Sequence, residues 1–271
     1  MISSRNKKII LIVGNSLRHK YVQNLVISSK KIDVPLIIQE IQRKKQKKLF
    51  LSKLQKSHLK LRDHYEKVFF QKFKKIKFSK NQTILIEQGT INKNKKILKI
   101  LDKIKPDIIL CFGCSVLGSK YLKRFKNKIL NIHLGLSPFY RGQATNYWPF
   151  VNNELQFIGA TFHKIDKGVD TGPIIHQIRG RIYKNDNVHL VGNRVIKDLK
   201  KPLLKILANF EKLKILKKNK FKKDKYYKAA DFDDQSLRKL FSNYKKGIIS
   251  DYLKKKNAIN KKFPILENKN L

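Results

Sequence analysis

The stretch KKIILIVGNS, residues 7–16, decides how the rest of the chain is read. Its basic start and short apolar centre allow two readings. A secretory leader begins with positive charge, an apolar run and a small-residue cleavage site. A buried first strand is a continuous β-branched run ended by Gly. The apolar centre, Ile9 to Val13, is short for a leader, and Gly14-Asn15-Ser16 reads as a turn. The strand reading predicts a soluble, cytoplasmic protein whose first core strand starts near residue 7. No apolar run approaches the roughly 20 residues of a membrane span.

Working outward, residues 19–29 read as a helix and 34–39 (VPLIIQ) as a second strand. Residues 45–77 are long, basic and helical in period. Residues 83–87 read as a short strand, 92–105 as a helix stopped by Pro106, and 107–112 as another buried strand. A short helix at 120–125 and a strand at 128–133 follow. Strands alternating with helices predict an α/β fold, a Rossmann-like and mostly parallel sheet with helices on both faces. After residue 155 the pattern changes. Residues 157–164 and 173–183 read as an antiparallel addition. Residues 186 to about 214 read as one helix capped by Asn185 or Asp186, and 233 to about 255 as another. Residues 186–271 are thus expected to be a helical, basic C-terminal extension, packed on the preceding domain or following it.

The 271 residues suffice for one large domain, or a domain plus an extension, and 41% apolar content excludes wholesale disorder. Net charge is +44, from 63 basic and 19 acidic residues. Such a charge suits nucleic acid or an anionic surface. However, 53 of the 63 are Lys and they spread over the whole length, which A/T-rich codon usage explains equally well. The scarce acids are therefore the informative charges. The two cysteines form one CxxC, Cys111 and Cys114, at the end of an apolar run. With no second pair, they read as small core or pocket residues rather than a redox or metal pair.

Parallel sheets bind ligands at the carboxyl ends of their strands. The segment after Cys111 and the stretch NIHLGLSPFYRG, residues 131–142, fall at such ends. Asn131 offers an uncharged donor to a carbonyl oxygen, and His133 exchanges protons near neutral pH. Asp170, brought beside a histidine, would favour the imidazolium. The set suits nucleophilic attack on a carbonyl. Plainer roles stand beside this one: strand-end capping for Asn131 and His133, and turn formation before Gly172 for Asp170. His163 is either a supporting group or an ordinary strand residue. A metal held by His133, His163 and Asp170 lacks HxxxH or HExxH spacing, so no metal is expected.

NIHLGLSPFYRG, followed by GATFHKIDKGVDTGPII, resembles the core of the folate-dependent formyltransferases. That family includes glycinamide ribonucleotide, methionyl-tRNA and sugar N-formyltransferases. The resemblance covers residues 7–185, most strongly 107–180, and makes 1–185 the expected catalytic domain. The family's Asn-x-His matches Asn131 and His133, and its catalytic Asp matches Asp170, 37 residues beyond His133. The resemblance implies a 10-formyltetrahydrofolate co-substrate and no metal. It implies that Asn131 and His133 stabilise a tetrahedral oxyanion while Asp170 orients His133 and a proton-relaying water. Gly113, Cys114, Ser115, Val116 and Leu117 match the segment that grips the pterin. Asp166, Gly168 and Val169 would close the other side.

The chain departs from the family's usual SLLP, carrying Gly135-Leu136-Ser137-Pro138 instead. Its first loop is not the ribonucleotide enzyme's Gly-Ser-rich phosphate loop. Gly14, Ser16, Arg18 and His19 are still candidates to hold an anionic group at a helix N-terminus, with Arg141 as a further substrate contact. A plain helix start capped by Ser16 is the alternative there. The expectation is an N-formyltransferase for the amine of a small, phosphorylated acceptor, an amino-sugar nucleotide or a glycinamide-ribonucleotide-like molecule. Methionyl-tRNA, prompted by the charge, is the alternative acceptor. A non-catalytic basic protein binding folate or nucleic acid is the third reading. Neither the acceptor's identity nor the oligomeric state follows from the sequence.

Overall fold

In the computed structural model, which describes residues 6–42, 51–74, 82–216 and 224–271, the opening stretch is the central strand β1, Lys7–Gly14. Ile9 to Val13 are wholly buried. A strand covered on both faces must be apolar at every position, and β-branched residues suit the pleat. β2 (Ile32–Ile41), β3 (Gln82–Glu87), β4 (Ile108–Phe112) and β5 (Ile129–His133) extend the sheet in parallel. The short β6, Tyr140–Gly142, lies apart from it. β7 (Gly159–Lys164) and β8 (Ile174–Arg179) then add an antiparallel edge. The spatial order is β3-β2-β1-β4-β5-β7-β8. The chain moves outward from β1 through β3, then returns to the other side of β1. The topological switch point is therefore between β1 and β4, where open α/β sheets hold ligands.

Helices cover both faces. α1 (Leu17–Ile27) and α2 (Lys53–Phe70) come early, α3 (Lys95–Ile104) and α4 (Ser119–Arg124) next, and α5 (Trp148–Val151) after β6. α6 (Val188–Asp198) and α7 (Lys200–Asn209) follow β8. On one sheet face Leu11, Val13 and Ile132 pack with Val22 and Val26 of α1, Val191 of α6 and Leu203 of α7. On the other, Ile10, Ile12 and Cys111 pack with Ile97 and Leu101 of α3 and Tyr121 of α4. Each fully buried aliphatic side chain contributes about 1.5–3 kcal/mol of transfer free energy, so the two layers fix the sheet. Among the described residues, no helix is long and apolar enough to cross a membrane.

The C-terminal segment is helical, as expected, but its elements differ in detail. The helix predicted from 186 is two helices, α6 and α7, broken at Leu199. Its cap is Asn187, whose side chain accepts the N–H groups of His189 and Leu190. Asp186 instead meets the Arg194 guanidinium with both oxygens. A short strand, β9 (Lys225–Tyr227), pairs in parallel with β6. The last predicted helix is α8 (Asp234–Lys245) and α9 (Ile248–Lys262), separated by Gly247 at φ 78°. These helices pack on the sheet: Leu237, Leu240, Ile248 and Tyr252 belong to the same core. Of the predicted basic helix 45–77, residues 53–70 form α2; 45–50 and 75–77 lie outside the described residues.

Candidate active site

Asn131 and His133 are two apart at the end of β5, so their side chains share one face. Asp170 stands in the loop between β7 and β8 with φ 53°, a left-handed conformation that Asp tolerates. Asp166 shapes that loop: its Oδ1 accepts the Gly168 N–H at 3.0 Å and the Thr171 hydroxyl at 2.6 Å.

The three residues expected to be catalytic meet. Asp170 Oδ2 is 3.3 Å from His133 Nδ1 and accepts the Gly142 N–H at 3.0 Å. Asp170 Oδ1 is 3.4 Å from Asn131 Nδ2 and 3.5 Å from His163 Nε2. His163 Nδ1 donates to the Lys164 carbonyl, and its Nε2 faces Asn131 Nδ2 at 3.0 Å. His163 is thus part of the cluster, positioned by the β5–β7 register that sets it opposite Asn131.

His133 Nε2 donates to the Tyr140 carbonyl at 2.9 Å. Its other nitrogen, Nδ1, faces the Asp170 carboxylate at 3.3 Å, a charge contact that favours the imidazolium. Burial pushes the ring below its ordinary value, while Asp170 and the Tyr140 carbonyl pull the other way. Burial alone would raise Asp170, but the adjoining His133, the neighbouring His163 and the Gly142 N–H outweigh it and hold the carboxyl at about 2. Gly142 and Asn131 donate to Asp170 whichever form His133 takes, so the carboxylate stays ionised at neutral pH.

The Gly135–Pro138 departure has a steric cause. A Cβ at Gly135 would stand 2.8 Å from both His133 Nε2 and Thr145 Cβ, so only Gly leaves the ring in place. The turn is held from beneath by groups the sequence analysis missed. Thr161 accepts the Ser137 N–H at 3.0 Å and donates to the Gly135 carbonyl at 2.7 Å. Gln177 Nε2 donates to the Ser137 carbonyl at 2.7 Å, and its Oε1 accepts the Leu266 N–H at 3.0 Å. The signal available was that Thr161 and Gln177 are uncharged polar residues inside strands, GATFHK and IIHQIR.

Not every expected contact faces a ligand. Arg141 grips Asp224 with Nε and Nη2, and its Nη1 donates to the Val169 carbonyl at 2.9 Å. It ties the Asp170 loop to the C-terminal segment. In the β1–α1 turn, His19 Nδ1 accepts the Ser16 N–H, and its ring occupies the space a Cβ at Gly14 or Gly113 would take. Burial and the neighbouring Arg18 lower His19 to about 3. Arg18 pairs with Glu66 of α2 at 3.4 Å, and Glu66 accepts the Arg18 N–H at 3.1 Å. A carboxylate of the protein itself thus fills the expected anion seat.

The segment after β4 is braced from both sides. Glu40 accepts the Ser115 N–H at 2.7 Å and Asn92 accepts the Gly118 N–H at 2.7 Å; Asn92 also donates to the Val116 carbonyl at 2.8 Å. The N–H groups of Val116 and Leu117 have no partner among the described residues. Gly113 takes φ 62°, Val116 is 56% exposed, and Leu117 anchors the segment in the core. Cys111 and Cys114 are free thiols; the hydrogen bond with Cys114 and burial push Cys111 up. Among the described residues, no group of three or more His, Cys, Asp or Glu side chains is disposed to hold a metal.

A model of the formyl transferase family matches residues 9–207, from β1 into α7. This chain belongs to the formyl transferase family. It is 33% identical over 131 residues to a methionyl-tRNA formyltransferase of Prochlorococcus marinus, covering 48% of this chain and 38% of that one. It is 36% identical over 122 residues to the bifunctional polymyxin resistance protein ArnA of Wigglesworthia glossinidia brevipalpis, covering 45% and 18%. The formyl transferase chain thus spans less than half the length of the curated relatives it matches. In fold it is similar to a phosphoribosylglycinamide formyltransferase from Anaplasma phagocytophilum, with TM-score 0.55 and 15% identity over 83% of this chain and all of that one. A sugar N-formyltransferase from Shewanella sp. FDAARGOS_354 is comparable, with TM-score 0.54 and 19% identity over 83% of this chain and 78% of that one.

Proposed function

We propose that this chain is a 10-formyltetrahydrofolate-dependent N-formyltransferase that acts on the amine of a small acceptor of the amino-sugar or glycinamide-ribonucleotide type. One observation carries the reading: Asn131, His133 and Asp170, drawn from a strand end and a distant loop, converge in one shielded cluster at the carboxyl edge of the sheet. The free N–H groups of Val116 and Leu117 fit the pterin, whose ring presents acceptors, and the 166–170 loop supplies the facing wall.

The bound donor supplies an electrophilic formyl carbon. Asn131 and His133 then serve as the donors for the oxygen on which charge develops as an amine attacks. Both donors are satisfied internally at rest, by His163, Asp170 and Tyr140, so the oxyanion competes for hydrogen bonds already oriented. Asp170 stays ionised, holds His133 in place and orients a water that relays the amine's proton to the folate nitrogen as the bond between that nitrogen and the formyl carbon breaks and tetrahydrofolate leaves. The test gives the purified chain 10-formyltetrahydrofolate with amino-sugar nucleotides or glycinamide ribonucleotide and weighs each acceptor. A mass gain of one formyl group on one acceptor supports the reading. Folate turnover without any formylated acceptor sinks the transferase assignment.

Methionyl-tRNA is the second acceptor reading. Its support is the +44 charge and the relatives that carry the methionyl-tRNA formyltransferase name. Binding of that tRNA with a steep salt slope favours it; no binding at low salt removes it.

A further inference from the structure

The two ring nitrogens of His133 meet their partners through one short strand. Nε2 donates to the carbonyl of Tyr140, and Nδ1 faces an Asp170 carboxylate that the Gly142 N–H holds at 3.0 Å. Tyr140 and Gly142 are the two ends of β6, which lies outside the main sheet. A pair of three-residue strands is too small to hold itself in place, so whatever anchors β6 also sets the site. Its partner is β9, with Tyr140 beside Lys225 and Gly142 beside Tyr227. The approach is close: a Cβ at Gly142 would stand 2.1 Å from the Tyr227 carbonyl. β9 lies beyond residue 207, where the family match ends. The Tyr227 ring stacks on Trp148 with 4.1 Å between centroids, and Lys225 Nζ meets Glu154 at 2.5 Å.

Arg141, in the middle of β6, is gripped by Asp224, the residue before β9. Nε lies 2.7 and 2.8 Å from the two carboxylate oxygens, and Nη2 lies 2.6 Å from one of them. The Tyr226 ring is 5.6 Å from the guanidinium. A guanidinium is a rigid planar fork, so with two arms held the third is aimed. That arm, Nη1, donates to the Val169 carbonyl at 2.9 Å, next to Asp170.

Charge matters beside shape. Among the described residues, the titratable and charged groups facing His133 are Asp170 from the β7–β8 loop, His163 from β7 and Arg141 from β6. An Arg141 without a counter-charge would disfavour the imidazolium and draw the Asp170 carboxylate toward itself. Asp224 supplies the counter-charge. We propose that Asp224 is a positioning residue for the reaction: it holds Arg141 so that this cation fixes the Asp170 loop without competing with His133 for the Asp170 carboxylate. This role rests on the formyl-transfer reading and extends the site to a segment beyond the matched span.

The test compares the full-length wild type with Asp224→Asn, Asp224→Glu and the double variant Asp224→Asn, Arg141→Gln. Steady-state transfer from 10-formyltetrahydrofolate to an amino-sugar nucleotide or glycinamide ribonucleotide is measured beside the His133 titration by NMR, and urea unfolding checks that each variant folds. Asp224→Asn should lose about 10–100-fold in kcat with little change in the acceptor's KM, and its His133 titration should move to lower pH. Asp224→Glu, which keeps the charge, should hold both near the wild type. The double variant should return the titration to the wild-type position or above it, but not restore kcat, because the Val169 tie is gone. A merely structural tie would lower the unfolding midpoint of Asp224→Asn and leave its kcat and titration alone; that result overturns the proposal, as does a titration shift that the double variant keeps. No formyl transfer by the wild type, with the titration shifted in Asp224→Asn and restored in the double variant, sinks the formyl-transfer reading and keeps Asp224 as the group that reserves Asp170 for His133.

Discussion

Asp170 Oδ2 lies 3.3 Å from Nδ1 of His133, and the two side chains are only 11% and 5% exposed. A carboxylate so placed favours the charged ring, against the burial that disfavours it. Asp170→Asn keeps the shape and tolerates the positive φ, but removes the charge. The His133 titration, followed by NMR, is expected to move to lower pH in this variant. Formyl transfer is expected to fall about 10²–10⁴-fold, the scale of a lost acid–base partner. An unchanged titration would show that the two groups do not interact.

Acid should destabilise the fold in two stages. His19, His58 and His189 are held neutral by burial, at about 3, about 4 and about 3. The unfolded chain binds protons at these groups from about pH 6.5 downward while the folded one does not, so stability falls as pH drops from 6.5 toward 4. Each contributes at most about 1.4 kcal/mol per pH unit. Asp170, held at about 2, adds a second loss as pH falls from its ordinary value toward 2. His58 and His189 also line a cavity of ≈ 140 Å³ between α2, α6 and α8. Melting temperatures between pH 7 and 4.5 check the first stage, and His189→Phe should flatten the slope.

Gly135→Ser restores the family's usual residue, yet it should damage this protein. The new Cβ must displace His133 or Thr145. Overpacking of this kind costs about 1–3 kcal/mol. Urea unfolding should report that loss, together with a shifted His133 ring resonance. A variant with native stability and an unmoved ring would mean that the pocket relaxes freely.

Gln177→Ala leaves the Ser137 carbonyl and the Leu266 N–H without a side-chain partner, both near the core. A loss of about 1–3 kcal/mol is expected. Formyl transfer should fall as well, because the turn beside His133 loosens. Equilibrium unfolding and turnover on one preparation check both effects.

Much of this was legible in the sequence where the physics is local. The apolar runs of β1, β4 and β5 admit no other burial, and the paired blocks around Asn131 and Asp170 drew attention to residues that do meet. The misses have physical reasons. The α6–α7 break lies three residues before Pro202, which belongs in a first helical turn rather than an interior; that signal was present and unused. β6 and β9 are three residues each and pair across more than 80 positions, which no local pattern announces. Glu66 reaches Arg18 across 48 residues, so a turn that reads as an open anion seat is filled from afar. Arg141 likewise meets Asp224, 83 residues further on.

The central claim is that Asn131, His133 and Asp170 form a formyl-transfer site. Its most direct test compares the wild type with Asn131→Ala and His133→Ala, using 10-formyltetrahydrofolate and an amino-sugar acceptor and weighing the product. The account predicts a formylated acceptor with the wild type and a loss of at least about 100-fold in each variant. Full transfer by either variant would contradict it.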